Sequence, residues 1–487
     1  MYPTNRGILK PTNYEWSRFM KAPKYKVIIN YVKEQITHGI WPVGSRLPSQ
    51  RDLAKQFGVN RSTVVTALEE LAADGLLEGK LGMGTIVINN TWTLMRSAPP
   101  VNWNVQVGRG THQASLSTVQ TINLAESDKS LIQLSKGELS QDLFPLEEMR
   151  SVLIKVGHEL EPFGYEDPKG NRQLREAIAQ YLAQKGIMVD ASSILVVSGA
   201  LQALHLISIG LLERESTVFL ENPSYVQSLS TFQSAGMKLH GISMDTEGII
   251  PEMIKEAHQS KNSVLYCHPN FHNPTGTLMG ETRRHELLRL AETAQLPIIE
   301  DDVYGDLWLD SPPPSPIKSH DRHGNVLYLG SLSKSLNPGL RIGWVAGPEA
   351  VIDRLADLKM QTDYGSSSLS QRAAAEWLSS GLYEKHLTNV REHLKVRRNA
   401  ALEALQKHLG NYAEWEKPEG GFFIWVKMNS DISLSDLYRK ALAHGVLINP
   451  GRIYATQKMQ NFRLSFANAP VEDLIKGIAI LESLIED

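Results

Sequence analysis

The chain has 487 residues, of which 42% are hydrophobic and 21% are charged. This composition excludes wholesale disorder, and the length predicts about three globular units. A single cysteine, Cys267, excludes a disulfide framework and a cysteine-based zinc site, and we interpret it as a buried strand residue. The most apolar stretch, 195–212, contains Gln202 and His205 and makes a poor membrane span, so we expect a cytoplasmic protein without a membrane partner.

Charge is distributed unevenly along the chain. Residues 1–90 contain twelve Lys or Arg and seven Asp or Glu, a net charge of +5, so the other 397 residues must sum to −8 to give the total of −3. A small basic segment attached to a larger acidic one points to a polyanionic partner at the N-terminal end, although solvated surface charge gives the same numbers. The local sequence has to decide between the two.

The first ninety residues carry the pattern of three helices followed by a hairpin. Apolar spacing predicts a helix over 25–38, and Ser49 begins the capping box of a second helix that stops at Gly58. Asn60 is placed to cap a third helix over 61–74. Two strand-like runs joined by glycines follow. The pattern predicts a winged helix-turn-helix, with a plain three-helix packing unit as the alternative.

Three stretches of this segment carry a more specific signal: GSRLPSQRDLA at 44–54, VNRSTV at 59–64 and GMGT at 82–85. They resemble the GntR-type DNA-binding domain over residues 24–90. Such a fold presents the N-terminal end of its third helix to the major groove, with Lys80 placed near phosphates or base edges. The resemblance implies DNA contacts from five residues: Arg51, Arg61, Ser62, Thr63 and the wing glycine Gly82.

From residue 131 onward, short apolar runs alternate with helical stretches, which predicts an α/β fold with a mainly parallel sheet. Four of the runs, at 194–197, 264–267, 297–299 and 326–329, are followed at once by polar clusters. These clusters read SGA at 198–200, HPNFHNPTG at 268–276, EDDVY at 300–304 and GSLSK at 330–334. Because ligands bind at the carboxyl ends of parallel strands, the regularity favours a built site at that edge.

The clusters match the needs of pyridoxal 5′-phosphate. Its aldehyde requires an amine, its ring nitrogen a carboxylate, and its phosphate cations and backbone N–H groups. Lys334 supplies the amine and Asp301 the carboxylate, while Tyr304 and Asn273 are placed for the phenolic oxygen and Tyr225 for the ring face. The residues assigned to the phosphate are Ser198, Gly199, Ala200, Ser331, Ser333 and Arg341.

Each of these residues has an ordinary alternative when it is taken alone. A lone lysine after a strand is usually a surface residue, and Asn-Pro-Thr-Gly is usually a turn. The occurrence of all these residues together, each cluster directly after a predicted strand, argues for a cofactor site. His268 and His272 lack the spaced carboxylates or cysteines of a metal centre, so we predict no metal.

Four motifs strengthen this interpretation: NPTG at 273–276, DDVY at 301–304, SLSK at 331–334 and PGLRIGW at 338–344. They resemble the class I/II aminotransferases of fold type I, which have a large and a small domain. The resemblance implies that Lys334 forms the internal aldimine and that Arg463, in FRLSF, clamps the carboxylate of the effector or substrate. It also implies that Tyr165 reaches the phosphate of the neighbouring subunit, which makes the active unit a homodimer.

A GntR-type reader followed by an aminotransferase-like domain is similar to the MocR family of bacterial transcription regulators. We therefore expect an N-terminal extension over 1–23, a DNA-binding domain over 24–90, a linker over 91–130 and an effector domain over 131–487. The expected function is a pyridoxal phosphate-dependent regulator that binds operator DNA and senses an amino acid, an amine or the cofactor itself. A catalytically active aminotransferase with a DNA-binding appendage remains the alternative.

Overall fold

The computed structural model describes residues 23–37, 40–80, 84–89, 116–160, 164–258, 262–429, 432–455 and 457–486. The chain divides into two compact units, Met1–Gly110 and Thr111–Asp487. Residues 1–22 of the predicted extension and residues 91–115 of the predicted linker lie outside the described residues. No helix among the described residues is both long enough and apolar enough to cross a bilayer.

The N-terminal unit contains three helices and a hairpin: α1 (Lys24–Thr37), α2 (Gln50–Phe57), α3 (Arg61–Ala73), β1 (Leu77–Lys80) and the antiparallel β2 (Gly84–Val87). Ser49 caps α2, since its Oγ accepts from the Asp52 amide at 3.2 Å. Gly58 ends α2 in the left-handed region at φ 59°, as predicted. The core of this unit is small and apolar, and Ile28, Leu53 and Leu71 are fully buried in it.

The start of α3 differs from the prediction in one detail. Asn60 occupies the N-cap position with an extended backbone, but its side chain makes no capping hydrogen bond. The backbone carbonyl of Asn60 accepts from the Thr63 amide at 3.0 Å instead. The side-chain amide of Asn60 is exposed and is not used to stabilise the helix.

The C-terminal unit begins before residue 131. Helix α4 (Ser117–Ala125) precedes the short strand β3 (Ile132–Gln133), and the structure places residues 116–130 of the predicted linker in this unit. Val119 and Ile122 of α4 are buried in the core of the unit. These are the two buried positions of the helix, and two apolar residues three positions apart form too short a pattern to predict a helix in an otherwise polar segment.

The centre of the C-terminal unit is an eight-stranded sheet with the order β4-β11-β10-β9-β8-β5-β6-β7 among the described residues. Its strands are β4 (Ile194–Val197), β5 (Thr217–Asn222), β6 (Lys238–Asp245), β7 (Gly248–Ile249), β8 (Ser263–Cys267), β9 (Ile298–Asp301), β10 (Val326–Ser331) and β11 (Gly343–Ala346). The neighbouring strands β10-β9-β8-β5-β6 are all parallel to one another. Strand β11 runs antiparallel to both of its neighbours, β10 and β4. The predicted mainly parallel sheet is confirmed.

Helices cover both faces of this sheet. The helices of the unit after α4 are α5 (Leu146–His158), α6 (Arg172–Gln184), α7 (Ala200–Gly210), α8 (Thr231–Ser234), α9 (Pro251–Ala257), α10 (Glu281–Ala294), α11 (Ile317–His320), α12 (Glu349–Thr362), α13 (Ser368–Ser379), α14 (Leu382–Leu409), α15 (Leu434–Ala443) and α16 (Val471–Glu486). Along β4, Leu195 and Val197 pack with α7 and α12, while Ile194 and Val196 pack with α6 and α13. The alternation follows from the two-residue period of a strand.

A second, antiparallel sheet lies in the same unit. Its strands are β12 (Ala413–Trp415), β13 (Phe423–Met428), β15 (Asn449–Pro450) and β16 (Asn461–Ser465), in the order β12-β13-β16-β15, while β14 (Val446–Leu447) pairs with β3. Arg463 lies on β16 and is buried. The two sheets together give the α/β fold with the large and small parts that the sequence predicts.

Candidate functional site

A cavity of 430 Å³ lies at the carboxyl ends of the central strands, where the small sheet meets the large one. Eleven of the predicted cofactor and effector residues line it: Gly199, Ala200, Tyr225, Asn273, Asp301, Tyr304, Ser331, Ser333, Lys334, Arg341 and Arg463. The parallel strands bring most of these residues together, because each strand ends at the same edge of the sheet. The last, Arg463, comes from β16.

Lys334 lies just beyond the end of β10. Its Nζ donates to the carbonyl of Gly137 at 2.8 Å. Burial lowers the pKa of Lys334 to about 8, although nearby Glu138 acts in the opposite direction. Near neutral pH, a larger fraction of this amine is therefore neutral than in a free lysine. Since only the neutral amine is a nucleophile, the side chain is suited to attack an aldehyde.

Asp301 is the last residue of β9 and is buried. Its Oδ2 accepts from the Tyr266 hydroxyl at 2.7 Å. This hydrogen bond fixes the carboxylate at the cavity wall. A fixed, buried carboxylate pairs well with a protonated ring nitrogen, which needs a charge partner once it leaves water.

Arg463 is held by contacts on several sides. Its Nη1 donates to Oδ1 of Asn273 at 2.8 Å, and its Nη2 donates to the carbonyl of Ser135 at 2.6 Å. The guanidinium carbon lies 3.9 Å from the ring centroid of Phe423 and 5.2 Å from that of Tyr454. The Nε atom is buried and has no hydrogen-bond partner among the described residues. A preoriented guanidinium of this kind suits a carboxylate ligand.

The opposite end of the cavity is shaped for an anion. Gly199 has φ 100°, and a Cβ built there would lie 2.9 Å from Nη2 of Arg341. Ala200 begins the eleven-residue helix α7, whose first backbone N–H groups have no partner within the helix. Ser333 adds a buried Oγ without a hydrogen-bond partner among the described residues. This cradle fits a phosphate dianion, so the residues present fit pyridoxal phosphate.

Three further side chains surround the space between the two ends. Tyr304 is buried, and burial raises the pKa of its phenol, so the hydroxyl remains a donor. His268 stacks on the Tyr304 ring with the centroids 5.4 Å apart. The backbone amide of Tyr225 donates to the carbonyl of Asn273 at 3.0 Å, which ties the segment that follows β5 to the segment that follows β8.

Two predicted residues do not line the cavity. Ser198 lies one residue before the cradle, where its carbonyl accepts from the Arg341 guanidinium and its Oγ lies 3.1 Å from Oγ of Ser366. Tyr165 is 80% exposed, and its ring centroid lies 4.8 Å from that of Tyr364. Within one chain, Ser198 therefore contacts Arg341, and Tyr165 is not part of the cavity lining.

Sequence reasoning missed several residues of the site. Tyr266 is an ordinary aromatic residue inside β8, and only the fold brings its hydroxyl to Asp301. Gly137 contributes a backbone carbonyl, which leaves no side-chain signal. Asn123 and Glu126 line the cavity from α4 and the residue after it, a segment that was predicted as linker.

The structure also groups three residues that the sequence did not connect. Glu281, His285 and His320 have potential metal-ligating atoms that all lie within 4.8 Å of one another. The rings of His285 and His320 have their centroids 4.4 Å apart. None of the three lines the cavity, so this group is separate from the predicted cofactor site.

Five of the six predicted DNA-contacting residues lie in described elements of the N-terminal unit: Arg51 on α2, Arg61, Ser62 and Thr63 on α3, and Lys80 on β1. Arg51, Arg61 and Ser62 are exposed, and Thr63 is half-buried. Arg61 donates from Nε to Oε1 of Gln50 at 3.0 Å. Lys80 is exposed, with its Nζ 3.7 Å from the Glu78 carboxylate. Gly82 lies outside the described residues.

Two family models match the chain. Residues 24–87 match the bacterial regulatory proteins of the gntR family, and residues 129–481 match aminotransferase class I and II. Among curated relatives, the HTH-type transcriptional regulator YdfD of Bacillus subtilis is 57% identical over 97% of this chain and 98% of its own length. The HTH-type transcriptional regulator NorG of Staphylococcus aureus is 36% identical over 87% of this chain and 95% of its own.

The chain belongs to the MocR family. This membership supports a transcriptional regulator over an aminotransferase with a DNA-binding appendage. The match to aminotransferase class I and II supports pyridoxal phosphate as the cofactor of the C-terminal unit, as predicted. The kynurenine aminotransferase of Pyrococcus horikoshii matches this domain with a TM-score of 0.73 and 32% identity, covering 77% of this chain and 95% of its own.

Proposed function

We propose that the chain is a homodimeric regulator that changes its hold on operator DNA when an amine-bearing ligand enters the cavity of the C-terminal unit. The main support for the proposal is that Lys334 and Arg463 line the same cavity, in a chain that also has a winged helix-turn-helix. Such a protein acts where the DNA is, in the cytoplasm. A coupling of this kind is typically worth about 1–3 kcal/mol.

The residues that line the cavity have separate proposed roles in binding the cofactor and the ligand. Asp301 would hold a proton on the ring nitrogen of the cofactor, and the cradle of Gly199, Ala200 and Arg341 would bind its phosphate. The cofactor would supply an electrophilic aldehyde carbon, and Lys334 would supply the amine that reacts with it. Arg463 orients the ligand by its carboxylate. Exclusion of bulk water by the buried walls strengthens each of these charge contacts.

The homodimer rests on Tyr165 and its surroundings. Tyr165 and Tyr364 form an exposed aromatic pair, and Tyr364 holds a strained backbone at φ 59°. Aromatic side chains are enriched at protein interfaces relative to the rest of the surface. We assign Tyr165 to the phosphate of the neighbouring subunit, so that two DNA-binding units serve one operator with repeated half-sites.

Arg61 is proposed to read a base, and Lys80 to contact a phosphate. Replacing Arg61 with Ala should cost about 1–3 kcal/mol for the preferred base at one position, because a guanidinium that bonds a base edge carries sequence information. The measurement is fluorescence anisotropy on operators that differ at single positions. Equal weakening on every operator would instead make Arg61 a phosphate contact. The matched variant Lys80→Ala should mainly reduce the salt dependence of binding.

The function itself is tested with the cofactor-loaded protein, a panel of amino acids and a 2-oxo acid. We expect that some amino acid shifts the cofactor absorbance and changes operator affinity at the same concentration, without release of a new amino acid. Rapid repeated transamination without any change in DNA affinity would overturn the proposal. Comparison of apo and loaded protein on the same DNA separates ligand sensing from sensing of the cofactor alone.

A further inference from the structure

The charges that line the cavity do not all find a partner in the cofactor. Lys334, Arg341 and Asp301 are assigned to the aldehyde, the phosphate and the ring nitrogen, and Arg463 is assigned to the carboxylate of the ligand. Of the remaining lining charges, Lys136 and Glu138 pair with each other at 3.4 Å. Glu126 is then left over, and within the described residues no Lys or Arg nitrogen lies within ion-pair distance of it.

Glu126 is held in place at the cavity wall. It follows α4 directly, and its Oε1 accepts from the Ser135 hydroxyl at 3.1 Å. Ser135 is fully buried, and its backbone carbonyl accepts from Arg463. One buried residue therefore connects the carboxylate of Glu126 to the guanidinium that is proposed to hold the ligand. Both charged side chains line the same cavity.

The helix that precedes Glu126 also contributes apolar side chains to the cavity lining. Val119 and Ile122 line the cavity from the same helix, with Asn123 as an additional polar group. Apolar side chains favour a hydrocarbon stem, whereas a carboxylate without an ion-pair partner in the same lining favours a cation. A ligand with a carboxylate, a reacting amine, an aliphatic stem and a second, cationic group satisfies all of these contacts at once.

We propose that the ligand sensed by this chain is a basic amino acid, with Glu126 binding its distal ammonium or guanidinium group. This inference rests on the proposed function, because it assigns the second end of the same ligand. It predicts a preference that comes from charge and not from size. Norleucine has the stem of lysine and lacks only the distal amine, so it is the matched neutral probe.

The test measures the concentration of lysine, ornithine, norleucine and 2-aminoadipate that half-shifts the cofactor absorbance. The wild type should prefer lysine or ornithine over norleucine by at least about tenfold, and Glu126→Gln should abolish that preference while it leaves norleucine unchanged. Glu126→Lys should reverse the preference towards 2-aminoadipate. Asp128→Asn, an exposed carboxylate outside the cavity lining, is the control and should behave like the wild type.

The outcomes separate this inference from the function on which it rests. A norleucine response equal to the lysine response in the wild type, or a lysine preference that survives Glu126→Gln, would overturn the assignment of Glu126 and leave the sensor intact. If none of the four compounds shifts the absorbance or the DNA affinity, and a different amine does, the inference is wrong although the proposed function stands. If no amine does so, the proposed function fails as well.

Discussion

Replacement of Lys334 with Ala should abolish the response to the ligand. The variant lacks the amine that would hold the aldehyde of the cofactor and respond to a ligand amine, so operator affinity should no longer depend on ligand concentration. In the wild type the same titration should change the affinity by roughly 5- to 150-fold, the range of ordinary allosteric coupling. The measurement is operator binding by the loaded protein across a ligand titration, with cofactor absorbance recorded in parallel.

The variant should remain folded, because Asp301 keeps its hydrogen bond from Tyr266 when the lysine is absent. Lys255→Ala, at an exposed position of α9, is the control and should keep the full response. A Lys334→Ala protein that still changes its DNA affinity on ligand binding would show that the signal does not pass through this lysine. The Arg463 contact would then be the part of the site that carries it.

Replacement of Lys185 with Met should destabilise the C-terminal unit by about 3–5 kcal/mol, the usual cost of removing one partner of a buried ion pair. The Nζ of Lys185 lies 2.8 Å from Asp306 and 3.4 Å from Asp302, whose side chain is 1% exposed. Burial alone would raise the pKa of Asp306, yet Lys185 and two tyrosine hydroxyls hold that pKa below its usual range. Methionine fills the space and leaves both carboxylates without a cation.

The measurement is urea-induced unfolding followed by tryptophan fluorescence, to which Trp344 contributes through its packing on Tyr181 at 5.7 Å. Lys238→Met is the control, since Lys238 and Glu215 form an exposed ion pair at 2.6 Å that should contribute no more than about 1 kcal/mol. Equal loss from both variants would mean that the buried network carries no special stability.

The same network of hydrogen bonds and ion pairs also contacts residues adjacent to the predicted cofactor site. Tyr383 donates to Asp306 at 2.7 Å and lies 2.7 Å from Oγ of Ser335, the residue after Lys334. Asp302, which accepts from Tyr328 at 2.6 Å, is the residue after Asp301. The network therefore anchors the neighbours of both predicted cofactor residues, and Lys185→Met should also weaken cofactor binding.

The sequence predicted those features that depend on residues close together in the chain. The Ser49 capping box, the glycine at 58 and the polar clusters after the strands are local signals, and the fold brings nearly all of the predicted residues to one cavity. Tyr266 and Lys185 gave no such signal, because their roles depend on partners distant in sequence. Asn60 shows the converse: a residue of the preferred type occupies the cap position without using its side chain.

Helix α4 was missed for a related reason, and its position has a consequence for signalling. It is the first described element after the chain leaves the DNA-binding unit, and it is also a wall of the ligand cavity. The hydrogen bond from Arg452 to Thr118, at 2.8 Å, pins it to the segment beside β15. Under the proposed function, a ligand that shifts this wall would also shift the first described helix of the C-terminal unit. The signal would then pass into the chain that precedes this helix, and the eight-stranded sheet would not need to change.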